Sequence, residues 1–225
     1  MNIVVAVRCY NEAHNIERFM RCYDFADTIV VSDGGSTDGS VEMLKLYPKV
    51  KLFHYGTYEE LNGVRWNPDA GHMNFVMDRA KELDPTWLIF DDMDDVPCAN
   101  LRLNARSIME SCNSTQLFAF RLYMWGDWQY FPKMNRDFHD DYRSLWAWKP
   151  KLVDIHADPS VRHGTIVGTT DDRCVLPPEQ CLLHKSWHPQ TIQKKIDFYN
   201  AIGLRMDNPL DFAGQPDKLP EWAIE

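Results

Sequence analysis

Two hydrophobic rhythms alternate along the first hundred residues. "NIVVAV" (2–7) is a continuous, mostly β-branched run, the pattern of a strand buried on both faces. In "NEAHNIERFMRCY", which follows, Ile16, Phe19, Met20 and Tyr23 fall at i, i+3, i+4 and i+7, one stripe of a helix. "DTIVVSD" (27–33) predicts a second buried strand, "GGSTDGS" a tight turn, and "SVEMLKLYP" a helix stopped near Pro48. "VKLFHY" predicts a third strand. "HMNFVMDRAKEL" predicts a helix with Met73, Val76, Met77, Ala80 and Leu83 on one side, and "WLIF" (87–90) a fourth strand.

Strands and helices that alternate through short connections predict a parallel α/β sheet. Right-handed crossovers put the turns after the strands on one edge, where open α/β sheets bind ligands. Three polar clusters stand at such ends: "RCYNE", "SDGGSTD" and "DDMDD".

The second half is less regular. "NLRLNARSIMESC" predicts a helix striped by Leu101, Ala105, Ile108, Met109 and Cys112, and "QLFAFRLYMW" a strand. Residues 125–180 are rich in Trp, Asp, His and Pro with weak periodicity. Trp125, Trp128, Trp146 and Trp148 suit either stacking on a ligand ring or core packing. "HPQTIQKKIDFYNAIG" predicts a last helix, with Pro189 near its first turn and Gly203 after its end. The remainder reads as an extended tail or lid.

Composition mostly excludes. The 225 residues carry a net charge of −9 without a dense Lys/Arg tract, a poor match to nucleic acid or anionic membranes. The six cysteines form no CxxC pair or zinc-ligand spacing, and "MNIVVAV" lacks a basic region ahead of its apolar run. The expectation is reduced thiols, no transmembrane segment and a cytoplasmic location.

The acidic cluster is where chemistry enters. If the chain stays extended through "DDMDD", Asp92 and Asp94 point the same way. Two carboxylates roughly 6 Å apart repel by about 2–3 kcal/mol at an effective dielectric near 20. Four beside an apolar strand call for protonation or a hard divalent cation such as Mg²⁺ or Mn²⁺. In "SDGGSTDGS", Gly34 and Gly35 permit a close approach of ligand to backbone, and Asp33 ends its strand facing the crevice. Asp38 suits either a ligand contact or a helix N-cap. Neither a dinucleotide GxGxxG nor a Walker loop is present.

The series "VVAVRCYNEAHNIERF", "DTIVVSDGGSTDGS", "HMNFVMDRAKE", "WLIFDDMDDVP" resembles the N-terminal half of family 2 glycosyltransferases of the GT-A fold. The match spans about residues 3–97, in order and with normal spacing. It implies a Rossmann-like, mostly parallel α/β sheet flanked by helices. Residues 1–188 would form the GT-A domain, with 1–97 its donor half and 98–188 its acceptor half. Residues 189–225 would be a helix and tail packed on it. The resemblance implies that Tyr10 and Glu12 line the nucleotide pocket, that Asp33 contacts base or ribose, and that Asn74 matches the Asn of the helix before the third motif. Asp92 and Asp94 match the DxD acids and belong to the metal site, Asp94 as the direct ligand and Asp92 also on the nucleotide-sugar side. Asp95 stands where the family often has Glu. Arg8 departs from the usual Thr or Pro and can pair with a phosphate or with Glu12.

In the second half "CLLHKSWHPQTIQKKIDFY" resembles a segment of non-processive members. It makes His184 a third metal ligand or a diphosphate contact, against a buried structural histidine. The family's base is a carboxylate on the acceptor side, but no clear Glu-Asp pair appears. Asp141, Asp172 and His163 are the chosen candidates, with Asp140, Asp171 and His156 nearby. Together these predict a metal-dependent, inverting, non-processive hexosyltransferase-like enzyme. It would use a UDP-, GDP- or dTDP-sugar donor, Mn²⁺ or Mg²⁺, and a saccharide, lipid-linked, protein or other hydroxyl acceptor. Two rivals remain: a nucleotidyltransferase of similar fold, disfavoured because "RCYNEAHN" is neither Gly-rich nor strongly basic, and a non-catalytic nucleotide-sugar-binding protein.

Overall fold

The structure is a computed structural model, and it describes residues 1–56, 68–126, 129–130, 143–160, 165–187, 192–193, 196–197 and 217–218. The alternation of the first half is realised as β1 (Ile3–Cys9), α1 (Ala13–Cys22), β2 (Thr28–Asp33), α2 (Ser40–Leu44), β3 (Val50–His54), α3 (Pro68–Lys81) and β4 (Trp87–Asp92). Then come β5 (Asp95–Pro97), α4 (Ala99–Ser111), β6 (Gln116–Trp125), β7 (Gln129–Tyr130) and β8 (Arg143–Trp148). The last strands are β9 (His156–Asp158), β10 (Thr165–Val167), β11 (Arg173–Val175), β12 (Leu182–Trp187) and β13 (Asp217–Lys218).

β3, β2, β1 and β4 lie side by side and parallel, so their carboxyl ends share one edge. Successive strand residues then serve opposite faces. Val5, Val7, Ile29, Val31 and Ile89 pack with Phe19 of α1, Tyr23 just after it, and Leu101 and Met109 of α4. Val4, Ala6, Val30 and Leu88 pack with Met73, Val76, Met77 and Ala80 of α3. The unbroken apolar runs of β1 and β2 follow from this, because Ile3–Val7 and Ile29–Val31 are buried between the two layers.

Several elements differ from expectation. The helix over "SVEMLKLYP" stops at Leu44, and the chain continues through i→i+3 bonds from Leu46 N to Met43 O and Tyr47 N to Leu44 O. Pro48 disfavours helical backbone at Tyr47, which shortens the last turn. β8 forms in the stretch of weak periodicity and inserts antiparallel between β4 and β6. Its Trp146 and Trp148 are buried, so core packing accounts for both. β12 runs past His184 to Trp187, with an irregularity between them, and pairs antiparallel to β5 and parallel to β6. Of the expected last helix, 192–193 and 196–197 are described and helical; the rest of that helix, most of the tail and Trp128 lie outside the described residues. No described helix is long and apolar enough to cross a membrane.

Candidate functional site

The loops after β1 and β2 are joined by hydrogen bonds. Asn11, at φ 57°, accepts from Thr37 N at 2.8 Å, and its own N–H donates to Ser36 Oγ at 2.9 Å. Asp33 accepts from Gly35 N at 2.8 Å and Ser36 N at 3.0 Å, and from the Ser36 hydroxyl. Its carboxylate therefore shapes the glycine turn, which the positive φ of Gly35 (87°) permits. Asp38 accepts from Ser40 N and from Ala13 N at 3.0 Å, serving the starts of α2 and α1 together. Glu12 accepts from Asn15 Nδ2 at 2.6 Å, and Tyr10 lies at the surface.

Beside these loops, at the ends of β1 and β4, the Arg8 guanidinium meets Asp92 Oδ1 at 2.7 Å and lies over the Phe90 ring. His72 of α3 stacks on Tyr55 with centroids 4.3 Å apart, and its Nε2 lies 3.0 Å from the Ser32 carbonyl. Burial, with Arg8 next, lowers the His72 pKa to about 4, so the ring is neutral at pH 7. Asn74 faces elsewhere than these loops: its side chain donates to Ala157 O at 2.9 Å and accepts from Ala157 N at 2.7 Å, fastening α3 to β9.

The acidic cluster does not stay extended. Met93 and Asp94 form a turn, so Asp92 ends one strand and Asp95 begins the next. The same-face alternation expected for Asp92 and Asp94 is lost with it. Asp92 turns to Arg8, while Asp94, Asp95 and His184 bring their ligand atoms within 4.8 Å of one another. β12 causes this convergence. It sets His184 opposite Asp95 in the antiparallel register, and the Asp94 carbonyl accepts Lys185 N at 2.7 Å.

Behind the trio lies a buried charge network. His184 Nδ1 lies 2.7 Å from Asp95 Oδ1. Arg121, midway along β6, faces Asp95 Oδ2 at 3.0 Å and Asp91 Oδ1 at 3.5 Å. Neither oxygen accepts a hydrogen bond among the described residues, so Arg121 meets them as a charge. The Tyr23 hydroxyl donates to Asp91 Oδ2. Burial, then the neighbouring Asp95, push the Asp91 carboxyl well above its usual range, and burial with Asp91 does the same to the Tyr23 phenol. Burial alone would lower His184, but Asp95 and Asp94 outweigh it and raise its pKa. Among the described residues, Arg8 meets Asp92, Arg121 meets Asp91 and Asp95, and Asp94 completes a group of four neighbouring carboxylates. Carboxylate oxygens and an imidazole gathered in this way fit a hard divalent cation; protons on Asp91 and His184 are the alternative.

Of the base candidates, Asp172 and His156 are held by other contacts. Asp172 accepts from Thr115 N at 3.1 Å, before the start of β6, about 23 Å of strand from Tyr123, the partner of His184. His156 lies 4.0 Å from Asp154 on β9. Asp140, Asp141 and His163 lie outside the described residues. Sequence reasoning left Asp91 and Asp95 unplaced and missed Arg121 and the Tyr23 hydroxyl. The available signal was Arg121 itself, a lone cation inside the apolar "QLFAFRLYMW".

No protein-family model and no curated protein matches the chain. Among solved structures, TarS 1–349 from S. aureus superposes with a TM-score of 0.54 at 16% identity, over 95% of this chain and 68% of that one. Its UDP-GlcNAc complex gives 0.55 at 14% identity, over 89% and 64%. The UDP complex gives 0.50 at 15%, over 80% and 62%. The fold is that of the GT-A glycosyltransferases. The chain spans about two-thirds of the length of these TarS chains. Within the GT-A sheet, the joined loops, Arg8–Asp92 and the Asp94–Asp95–His184 cluster gather near the carboxyl ends of β1, β2 and β4.

Proposed function

We propose that this protein transfers a sugar from a nucleotide-diphosphate donor to an acceptor hydroxyl, with a divalent metal, Mn²⁺ or Mg²⁺, held at Asp94 and His184. The observation that carries the reading is the meeting of Asp94, Asp95 and His184, from segments some 90 residues apart, beside the strand edge that binds ligands in open α/β sheets. A divalent cation there supplies charge to stabilise the departing diphosphate. Arg8, paired with Asp92 at the same edge, presents a second positive charge toward phosphate. The loops carrying Tyr10 and Gly34–Gly35 form the nucleoside side, and Asp33 acts by holding the glycine turn open. An acceptor-side residue deprotonates the attacking hydroxyl. Inversion and a single transfer per encounter follow from the family resemblance, and the hexosyl class and hydroxyl acceptor belong to the same reading.

Thermal shift with UDP, GDP and dTDP, with and without Mn²⁺, tests the donor site. One nucleotide should raise Tm in a Mn²⁺-dependent way, and a hydrolysis panel of its sugars should then release product. If no nucleotide stabilises the protein in any metal, the reading fails. Stabilisation without hydrolysis or transfer would favour a nucleotide-sugar-binding protein.

A further inference from the structure

We propose that Asp95 and Arg121 are positioning residues for His184: Asp95 holds the Nδ1 side of the ring so that Nε2 serves the metal, and Arg121 holds Asp95. This rests on the metal reading above and deepens it. Asp94, Asp95 and His184 are equivalent by proximity alone, but their surroundings separate them. Asp95 is fully buried, its Oδ1 lies 2.7 Å from His184 Nδ1, and its Oδ2 faces Arg121 at 3.0 Å. A carboxylate can only accept, so the proton sits on Nδ1. The neutral ring then carries its lone pair on Nε2, the tautomer a metal needs. For Asp95 to ligate directly, it would have to surrender one of these contacts inside the protein. Asp94 differs in standing partly exposed in the turn.

Arg121 makes the arrangement stable. Two carboxylates buried within reach of one another, Asp91 and Asp95, repel strongly. Arg121 lies 3.5 Å from the first and 3.0 Å from the second, and Asp91 is held from its other side by Tyr23. β6 thereby sets the position of a ring carried by β12, its parallel neighbour.

Two measurements test this. The first needs no metal: long-range ¹H–¹⁵N correlation of ¹⁵N-histidine protein at alkaline pH. Wild type should show His184 as the Nδ1–H tautomer, and an Nε2–H tautomer overturns the proposal. The second is Mn²⁺ affinity by EPR of the free ion. Arg121→Met should weaken binding about 10–100-fold, the usual cost of losing an outer partner, with Arg121→Lys recovering part, while Asp94→Asn should lose more than either. Wild-type affinity in Arg121→Met overturns the proposal. If Arg121→Met does not fold, Asp91→Asn with Arg121→Met removes both members of the Arg121–Asp91 contact and should show the same weakening; wild-type affinity there also overturns it. A wild-type protein that binds no Mn²⁺ would instead sink the metal reading, and the tautomer still decides the Asp95 contact.

Discussion

Replacing Tyr23 by Phe removes one oxygen and leaves the ring packed against Phe19 and Phe25. The lost hydroxyl is the donor to Asp91, a carboxyl that is 2% exposed. A hydrogen bond to a charged group contributes about 1.5–3 kcal/mol, and this is the expected loss where Asp91 is ionised. In a chain of this length 1 kcal/mol moves Tm by about 2–4 °C, so the melt should fall by about 3–12 °C. The pH dependence has a definite sign. Burial and Asp95 favour the protonated Asp91, and the Tyr23 hydroxyl opposes them by stabilising the carboxylate. Tyr23→Phe therefore pushes Asp91 further up, and the destabilisation grows with pH. Urea unfolding in EDTA, at acidic and at mildly alkaline pH, measures both effects. A loss under about 0.5 kcal/mol at both, the range of an ordinary surface substitution, refutes the reasoning. So does a larger loss on the acidic side.

Metal and pH should be coupled through the same cluster. The folded-state pKa of His184 is raised from 6.5, so its contribution to stability is present below 6.5 and is lost as pH rises through the folded value. Asp91 is shifted the same way. The Tm gain on adding Mn²⁺ should accordingly grow with pH, and a gain that shrinks over that range contradicts the assignment. Asn74→Ala removes both bonds to the Ala157 backbone and should cost about 1–3 kcal/mol. Hydrogen exchange should quicken at the Ala157 amide, and unchanged protection there would show that Asn74 does not anchor β9.

The alternation of strands and helices in the first half was legible because it is local. β-branched runs, helical stripes and turn residues each act within about ten positions, and right-handed crossovers leave few ways to connect them. The motifs at the strand ends were legible for the same reason: placing Tyr10, Asp33 and Asp92 near one edge needs only the strands that carry them. β8 was not legible, since its place between β4 and β6 depends on partners 23–60 residues away.

Sequence alone determined that negative charge would crowd the end of a buried strand, and that something positive must answer it. Which carboxylate meets which cation was decided only by tertiary structure. A turn of two residues at 93–94 broke the alternation that would have paired Asp92 with Asp94. The pairing of β12 with β5 and β6 then delivered His184 to Asp95, with Arg121 between Asp95 and Asp91. Charges interact through space, and at close range a change of a few ångströms alters which partner dominates. The residue types were written along the chain, but the distances between them exist only in the fold.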